Sequence, residues 1–233
     1  MAKNKIALVT GANKGIGYEI ARQLAERGFH VFIGARNADA GKQAAASIQK
    51  AGGSAEFLEI DVSDRASVEQ AAKVVAASAD HLDVLVNNAG IMQDDDFVAT
   101  VTDETMLRTL STNTLGPLRV TQAFRPLLEK GRRASVINLS SALGQLSDME
   151  DVHPAYSISK TAVNAVTRQF AAALRRKGIA VNSVCPGWVK TDMGGPNAPR
   201  TVQQGADTVT WLATEAPRDL TGQFLRDRRM IPW

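Results

Sequence analysis

Short apolar, β-branched runs alternate with longer helical patterns from one end of this sequence to the other, and no other feature restricts its fold as much. The runs are residues 6–9, 30–34, 55–60, 84–87, 134–139, 180–184 and 222–225. Their apolar residues are nearly continuous instead of alternating, the pattern of strands covered on both faces. Helical periodicity fills residues 15–27, 38–51, 66–79, 104–113, 117–129, 155–177 and 201–213. Strand and helix in repeated succession predict an α/β fold, a single doubly wound parallel sheet with helices on both faces. No linker, repeat or low-complexity stretch interrupts the 233 residues, so 1–233 reads as a single domain. Residues 188–200 carry glycine and proline without periodicity, which predicts a lid or a ligand-contacting loop.

Composition narrows the class by exclusion. Hydrophobic residues are 44% of the chain, charged residues 22% and the net charge is +3, which excludes intrinsic disorder and a basic nucleic-acid-coating surface. The arginine cluster from Arg226 to Arg229, interrupted by Asp227, reads as a solvated turn. Cys185 is the only cysteine, and His30, His81 and His153 lack the spacing of metal ligands, so neither a disulfide nor a metal is expected. Lys3 and Lys5 lead at once into a strand-like run, unlike a signal peptide, and no apolar stretch nears the roughly 20 residues of a membrane span. The expectation is a cytoplasmic protein with neither nucleic acid nor membrane as a partner.

The first run ends in Thr10-Gly11-Ala12-Asn13-Lys14-Gly15-Ile16-Gly17, and a helical pattern follows. Glycine lets a backbone turn tightly and approach a diphosphate, and the helix beyond offers free N–H groups and a positive dipole end. The spacing is Gly-x-x-x-Gly-x-Gly, but its place between the first strand and the first helix identifies a dinucleotide loop and makes the sheet Rossmann-type. The second run ends at Ala35-Arg36, where an NAD site carries an acid for the ribose 2′-hydroxyl. Arg36 together with Lys14 would instead meet a 2′-phosphate, which points to NADPH/NADP+; the plainer description of both is solvated surface cations. Asp61-Val62, after the third run, offers a carboxylate to the adenine amino group or a helix cap, a job that Ser63 or Asp64 fits better. Asn87-Asn88-Ala89-Gly90 ends the fourth run. Its small residues would let the cofactor cross the sheet edge while the asparagines lock the strand ends together.

Tyr156 and Lys160 stand four positions apart in a helical pattern and so share a face. A phenol titrates near pH 10, and an adjacent ammonium stabilises phenolate, which makes a general acid or base usable near neutrality. Such pairs also arise by chance on helix surfaces. This one gains weight from Ser140-Ser141 at the end of the 134–139 run, because parallel strands end at the ligand crevice. A hydroxyl there can donate to a carbonyl oxygen. A nucleophilic serine is the rival reading, but no Gly-x-Ser-x-Gly elbow surrounds it and no histidine is placed to be its base.

With these motifs together, the chain resembles the short-chain dehydrogenase/reductase family over essentially its whole length, through residues 10–17, Asp61, 87–90, Asn113, Ser141, Tyr156, Lys160 and Pro186-Gly187. Residues 13–17, 185–193 and 222–224 are most similar to its NADPH-dependent carbonyl reductases and plant menthone-type reductases. The resemblance implies a catalytic set of Asn113, Ser141, Tyr156 and Lys160. Tyr156 would be the proton donor, and Lys160 would lower its pKa and hold the nicotinamide ribose. Ser141, in preference to Ser140, would position the carbonyl. Asn113 would anchor a water linking Lys160 to solvent. Val189 and Thr191, after the Pro186-Gly187 turn, would contact the nicotinamide carboxamide. The animal carbonyl reductases carry a long insertion before the active tyrosine that covers a dimerisation face. Here Tyr156 follows Ser141 too closely to include it, so a homo-oligomer built on residues 117–129 and 155–177 is expected.

Ile91, Met92, Leu143, Met149, Trp188 and Met193 are the candidate substrate pocket, though each side chain taken singly is more often core or loop packing than a ligand contact. An apolar lining suits a small-molecule ketone, aldehyde or keto ester. Asp94-Asp95-Asp96 and residues 148–151 border the expected mouth, as solvated loops or as contacts for a cationic substrate. The function expected is NADPH-dependent carbonyl reduction by hydride transfer, with Tyr156 as proton donor. A reductase of carrier-bound 3-oxoacyl chains is an alternative, but it predicts a basic docking patch where this sequence has acids. A non-catalytic NADP-sensing protein is another, and it would have no need of the acid–base pair.

Overall fold

The computed structural model describes residues 5–93, 97–217 and 219–233. Among them, one sheet contains β1 (Lys5–Thr10), β2 (Phe29–Ala35), β3 (Ser54–Glu59), β4 (Val84–Asn87), β5 (Ser135–Leu139), β6 (Ala180–Val184), β7 (Phe224–Arg226) and β8 (Arg229–Met230). The order is β3-β2-β1-β4-β5-β6-β7-β8, parallel throughout except for the β7–β8 pair. The helices are α1 (Gly15–Glu26), α2 (Ala38–Lys50), α3 (Arg65–Ser78), α4 (Asp103–Leu110), α5 (Gly116–Leu128), α6 (Pro154–Leu174) and α7 (Val202–Thr214). None of them is long and apolar enough to cross a membrane.

Successive strand residues face opposite layers. Ala7 and Val9 of β1 pack with Ile20 and Leu24 of α1, Ile48 of α2 and Val209 of α7. Ile6 and Leu8 pack with Val75 of α3, Phe124 of α5 and Leu174 of α6. Both layers are apolar, so the strands read as continuous hydrophobic runs. Each fully buried Leu, Ile or Phe contributes about 1.5–3 kcal/mol relative to exposure.

Two features depart from the sequence expectation. The sheet is not wholly parallel, because β8 folds back on β7 through Asp227 and Arg228 at φ 51° and 60°. Two consecutive left-handed residues make the tight hairpin turn that suits strand twist. The arginine cluster is that turn, and a two-residue strand has no periodicity to detect. The break expected between residues 113 and 117 is also absent, because α4 continues through a π turn, Ser111–Leu115, into α5. Pro117 lacks an N–H and its ring would crowd the carbonyl four residues back; the wider turn accommodates both.

The chain steps outward from β1 to β3, then returns to place β4 on the other side of β1. The crevice above the C-terminal ends of β1 and β4 is therefore the point where the helical connections diverge to opposite faces, the place where open α/β sheets bind ligands.

Candidate active site

A cleft of about 690 Å³ occupies that crevice, with Gly11, Arg36, Asp61 and Val62 toward one end and Tyr156 and Lys160 toward the other. Asn13, Lys14, Gly15, Ile16, Gly17, Asn88, Ala89 and Gly90 also line it. Gly11 has φ 64°, and a Cβ on it would stand 2.9 Å from the Ala89 Cα; a Cβ on Gly17 would stand 2.4 Å from the Gly11 carbonyl oxygen. The loop closes this tightly only as glycine. Asn88 Nδ2 donates to the carbonyls of Thr10 (2.9 Å) and Gly11 (3.1 Å), while Asn87 Nδ2 donates to Asn138 Oδ1 at 2.8 Å. These bonds lock β4 to β1 and to β5.

The N-terminus of α1 has no side-chain cap and no acid in its first turn. By contrast, α2, α3, α4 and α7 are capped by Asn37, Asp64, Thr102 and Thr201. Free N–H groups of a first helical turn beside a cleft fit a diphosphate. Lys14 Nζ meets Asp192 Oδ2 at 2.5 Å, and Arg36 Nη1 lies 3.8 Å from Asp61 Oδ2. Asp61 leaves the capping of α3 to Asp64; its Oδ1 accepts from Ser63 N (2.8 Å) and Oγ (2.6 Å).

At the other end, α6 enters through His153, left-handed at φ 46°, and Pro154 in its first turn. The helix turns Tyr156 and Lys160 inward, and both are buried. Lys160 Nζ lies 5.4 Å from the Tyr156 ring centroid and donates to the Leu139 carbonyl at 2.8 Å. The Ser141 side chain hydrogen-bonds to that of Tyr156. Ser140 lines the cleft, which Ser141 does not, but donates to the Lys160 carbonyl at 3.3 Å. Geometry thus separates two serines that sequence chemistry left equivalent. The turn after Ser141 lies directly on α6, since a Cβ on Gly144 would stand 2.8 Å from the Lys160 Cβ.

Burial governs the electrostatics here. It pushes Tyr156 up to about 12, opposed by the Ser141 hydrogen bond, and Lys160 down to about 8. The acidified phenol expected from the sequence is therefore corrected, because desolvation of the ring outweighs a neighbour that is itself weakened as a cation.

Asn113 lies in the π turn and directs its side chain to Ile91 and Ser159. Its Oδ1 accepts from Ile91 N and its Nδ2 donates to Ile91 O, both at 2.8 Å, and to Ser159 Oγ at 3.0 Å. A Cβ on Gly90 would stand 3.3 Å from Asn113 Oδ1 and 3.5 Å from Lys160 Nζ, so both flank the same gap. Pro186 and Thr191 line the cleft. Val189 and Gly187 are not brought to it. The Val189 side chain packs toward α7, with Cγ2 2.8 Å from where a Gly205 Cβ would be, and Gly187 rests on Arg200.

Among the pocket candidates, Ile91, Met92 and Met193 line the cleft. Leu143, Met149 and Trp188 do not. Leu143 sits in the 3-10 turn Ala142–Gly144, Met149 is exposed, and the exposed Trp188 donates its indole N–H to the Gly194 carbonyl at 2.7 Å. Asp151 accepts from Val98 N at 2.9 Å, and Asp94, Asp95 and Asp96 lie outside the described residues. Sequence reasoning missed Ala35, Ile60, Gln93, Thr112, Leu139, Ser140, Lys190 and Asp192 as lining residues. Asp192 had a signal, as the one acid within residues 188–200.

Residues 5–201 match the short chain dehydrogenase family. NADPH carbonyl reductase 1 of Sus scrofa is 33% identical over 279 aligned positions that cover 100% of this chain and 95% of that protein. The (+)-neomenthol dehydrogenase of Arabidopsis thaliana is 32% identical, over 90% of this chain and 91% of its own length. The crystal structure of NADPH-bound carbonyl reductase from chicken fatty liver superposes with a TM-score of 0.87 at 31% identity, covering 100% of both chains. On the family match and these full-length relatives, the chain belongs to the short-chain dehydrogenase family.

Proposed function

We propose that the chain is an NADPH-dependent carbonyl reductase that takes small ketones, aldehydes or keto esters to alcohols. The observation carrying this reading is one cleft that joins an uncapped glycine-loop helix to the buried Tyr156 and Lys160, with Ser141 hydrogen-bonded to Tyr156. Similarity to proteins named as NADPH carbonyl reductases supports it.

A bound NADPH would supply the hydride that attacks the carbonyl carbon. Tyr156, held near 12, keeps its proton at neutral pH and transfers it to the carbonyl oxygen as negative charge develops there. With the proton from Tyr156, that hydride would convert C=O to CH–OH. Ser141, already bonded to Tyr156, offers the same oxygen a second donor. Lys160, charged below about pH 8, would stabilise the phenolate left behind and hold the ribose hydroxyls of a bound cofactor. Asn113, across the Gly90 gap from Lys160, would anchor a water that returns a proton. Thr191, which lines the cleft, would meet the carboxamide. Lys14 and Arg36 exchange their carboxylate partners for the 2′-phosphate. A phenol that starts protonated favours the reductive direction.

The wild-type chain should oxidise NADPH with aromatic aldehydes and keto esters, and NADH far more slowly. Tyr156→Phe should lower turnover by about 100-fold or more while NADPH affinity, read from its fluorescence, stays within about threefold. Wild-type turnover by that variant would remove the phenol from the mechanism. The reading includes a homo-oligomer, supported by exposed Leu115 in the π turn and Ile158 on α6. Light scattering at the single-chain mass of 24.9 kDa would count against it.

A further inference from the structure

One wall of the cleft is the irregular segment after β6, through Pro186, Lys190, Thr191, Asp192 and Met193. What holds it is concentrated in Arg200. The Arg200 N–H donates to the Trp188 carbonyl at 3.2 Å and its carbonyl accepts from Lys190 N at 2.8 Å, so Val189 and Arg200 form a bridge that closes the loop on itself. The side chain then passes against the Pro186-Gly187 turn. A Cβ on Gly187 would stand 2.6 Å from Arg200 Cδ and 2.9 Å from Nε. The guanidinium ends in a fork on Asp227, with Nη2–Oδ1 at 2.5 Å and Nη1–Oδ2 at 3.2 Å, and Nη2 also donates to the Gln204 carbonyl at 3.3 Å.

Several features separate this pair from an incidental surface ion pair. Asp227 holds φ 51°, a conformation that non-glycine residues rarely adopt. Arg228 beside it forks onto Asp207 of α7, Nε–Oδ2 2.8 Å and Nη2–Oδ1 2.6 Å, so the β7–β8 hairpin is anchored on both sides. The Arg200 Nε atom is buried against the turn with no hydrogen-bond partner. A buried orphan donor is unfavourable and calls for an explanation. A planar fork on a carboxylate fixes orientation as well as distance, which a single ammonium contact does not.

We propose that Arg200 and Asp227 are positioning residues, a strut from the C-terminal hairpin that fixes the cleft wall, Pro186 and residues 190–193, against the cofactor. The proposal rests on the cofactor reading above, and neither residue is among those lining the cleft. The wall meets the cofactor equally before and during hydride transfer, so its loosening weakens NADPH binding and leaves the chemical step alone.

Asp227→Asn and Arg200→Lys test this, with melting temperature as the check on folding. Both should raise the NADPH Kd, titrated by fluorescence, and the KM for NADPH by about five- to tenfold, with kcat within about twofold. Asp227→Glu, which restores the fork, should recover most of the loss. A lowered melting temperature with unchanged Kd and KM would overturn the proposal, as would a fall in kcat at unchanged KM. Binding is read without turnover. A wild-type chain that binds NADPH but reduces no carbonyl would therefore end the reductase reading and still leave the strut tested.

Discussion

The two ends of the cleft put the same side chain into opposite surroundings. Lys14, at the nucleotide end, is 68% exposed and paired with Asp192, itself 80% exposed. Lys160, at the chemical end, is 4% exposed and bonded to a backbone carbonyl. At the exposed end water screens the charges, so backbone geometry sets the site and the cations are free to change partners. At the buried end desolvation sets the charge states, moving Tyr156 up and Lys160 down. Recognition and chemistry in this cleft therefore answer to different variables, salt at one end and pH at the other.

The contrast breaks hardest at Lys160→Met. Loss of the buried cation should cut carbonyl reduction by about 100-fold or more. The same variant reports the burial directly. Lys160 titrates near 8 in the folded chain against an ordinary value of 10.5, so the unfolded chain binds more protons between those values. Stability therefore rises with pH across that window, and the full penalty, on the order of 3 kcal/mol, is present below it. Urea unfolding of the wild type should gain about 2 kcal/mol between roughly pH 7 and pH 10, and the methionine variant should lack that gain. An equal gain in both proteins would place the titration elsewhere.

The same division marks what could be read from the sequence. The glycine loop, the Asn87–Gly90 strand end and the shared face of Tyr156 and Lys160 were legible because each depends on local spacing alone. The choice between Ser140 and Ser141 was not, because it depends on where α6 crosses the end of β5. Burial was invisible too: a sequence shows that Lys160 neighbours Tyr156, but not that both lose their water. The outward turn of Met149 and Trp188 follows from loops without periodicity. The π turn at Asn113 hid behind Gly116-Pro117, which reads as a helix break. The Arg200–Asp227 fork joins residues from separate segments, and no pattern along the chain announces it.

At the exposed end the effects should be smaller and dependent on salt. Arg36→Ala and Lys14→Ala should each raise the NADPH Kd by about tenfold and leave the NADH Kd within about twofold, since only the former cofactor carries the 2′-phosphate. The loss should shrink as ionic strength rises, because both cations are solvent-exposed. A loss that is equal for the two cofactors would mean that these cations hold the diphosphate or the loop and do not discriminate.

The smallest effect belongs to Asp192, and its sign decides what the Lys14–Asp192 contact is for. Lys14 holds the Asp192 carboxyl below its usual range, so the pair is ionised at neutral pH. Binding a 2′-phosphate at Lys14 requires that Asp192 give up its partner or share it. If the contact is a competitor, Asp192→Asn frees Lys14 and removes a negative charge from the phosphate site. NADPH affinity should then rise about two- to threefold at low salt and be unchanged near about 1 M. The gain should vanish in a Lys14→Ala background, since the two substitutions then act on the same pair. If the contact instead holds the 190–193 segment over the glycine loop, where the Thr191 Cγ2 already lies 3.4 Å from a Cβ position on Gly15, the same substitution weakens NADPH and NADH alike. An affinity that rises for NADPH alone identifies Asp192 as the group the phosphate displaces.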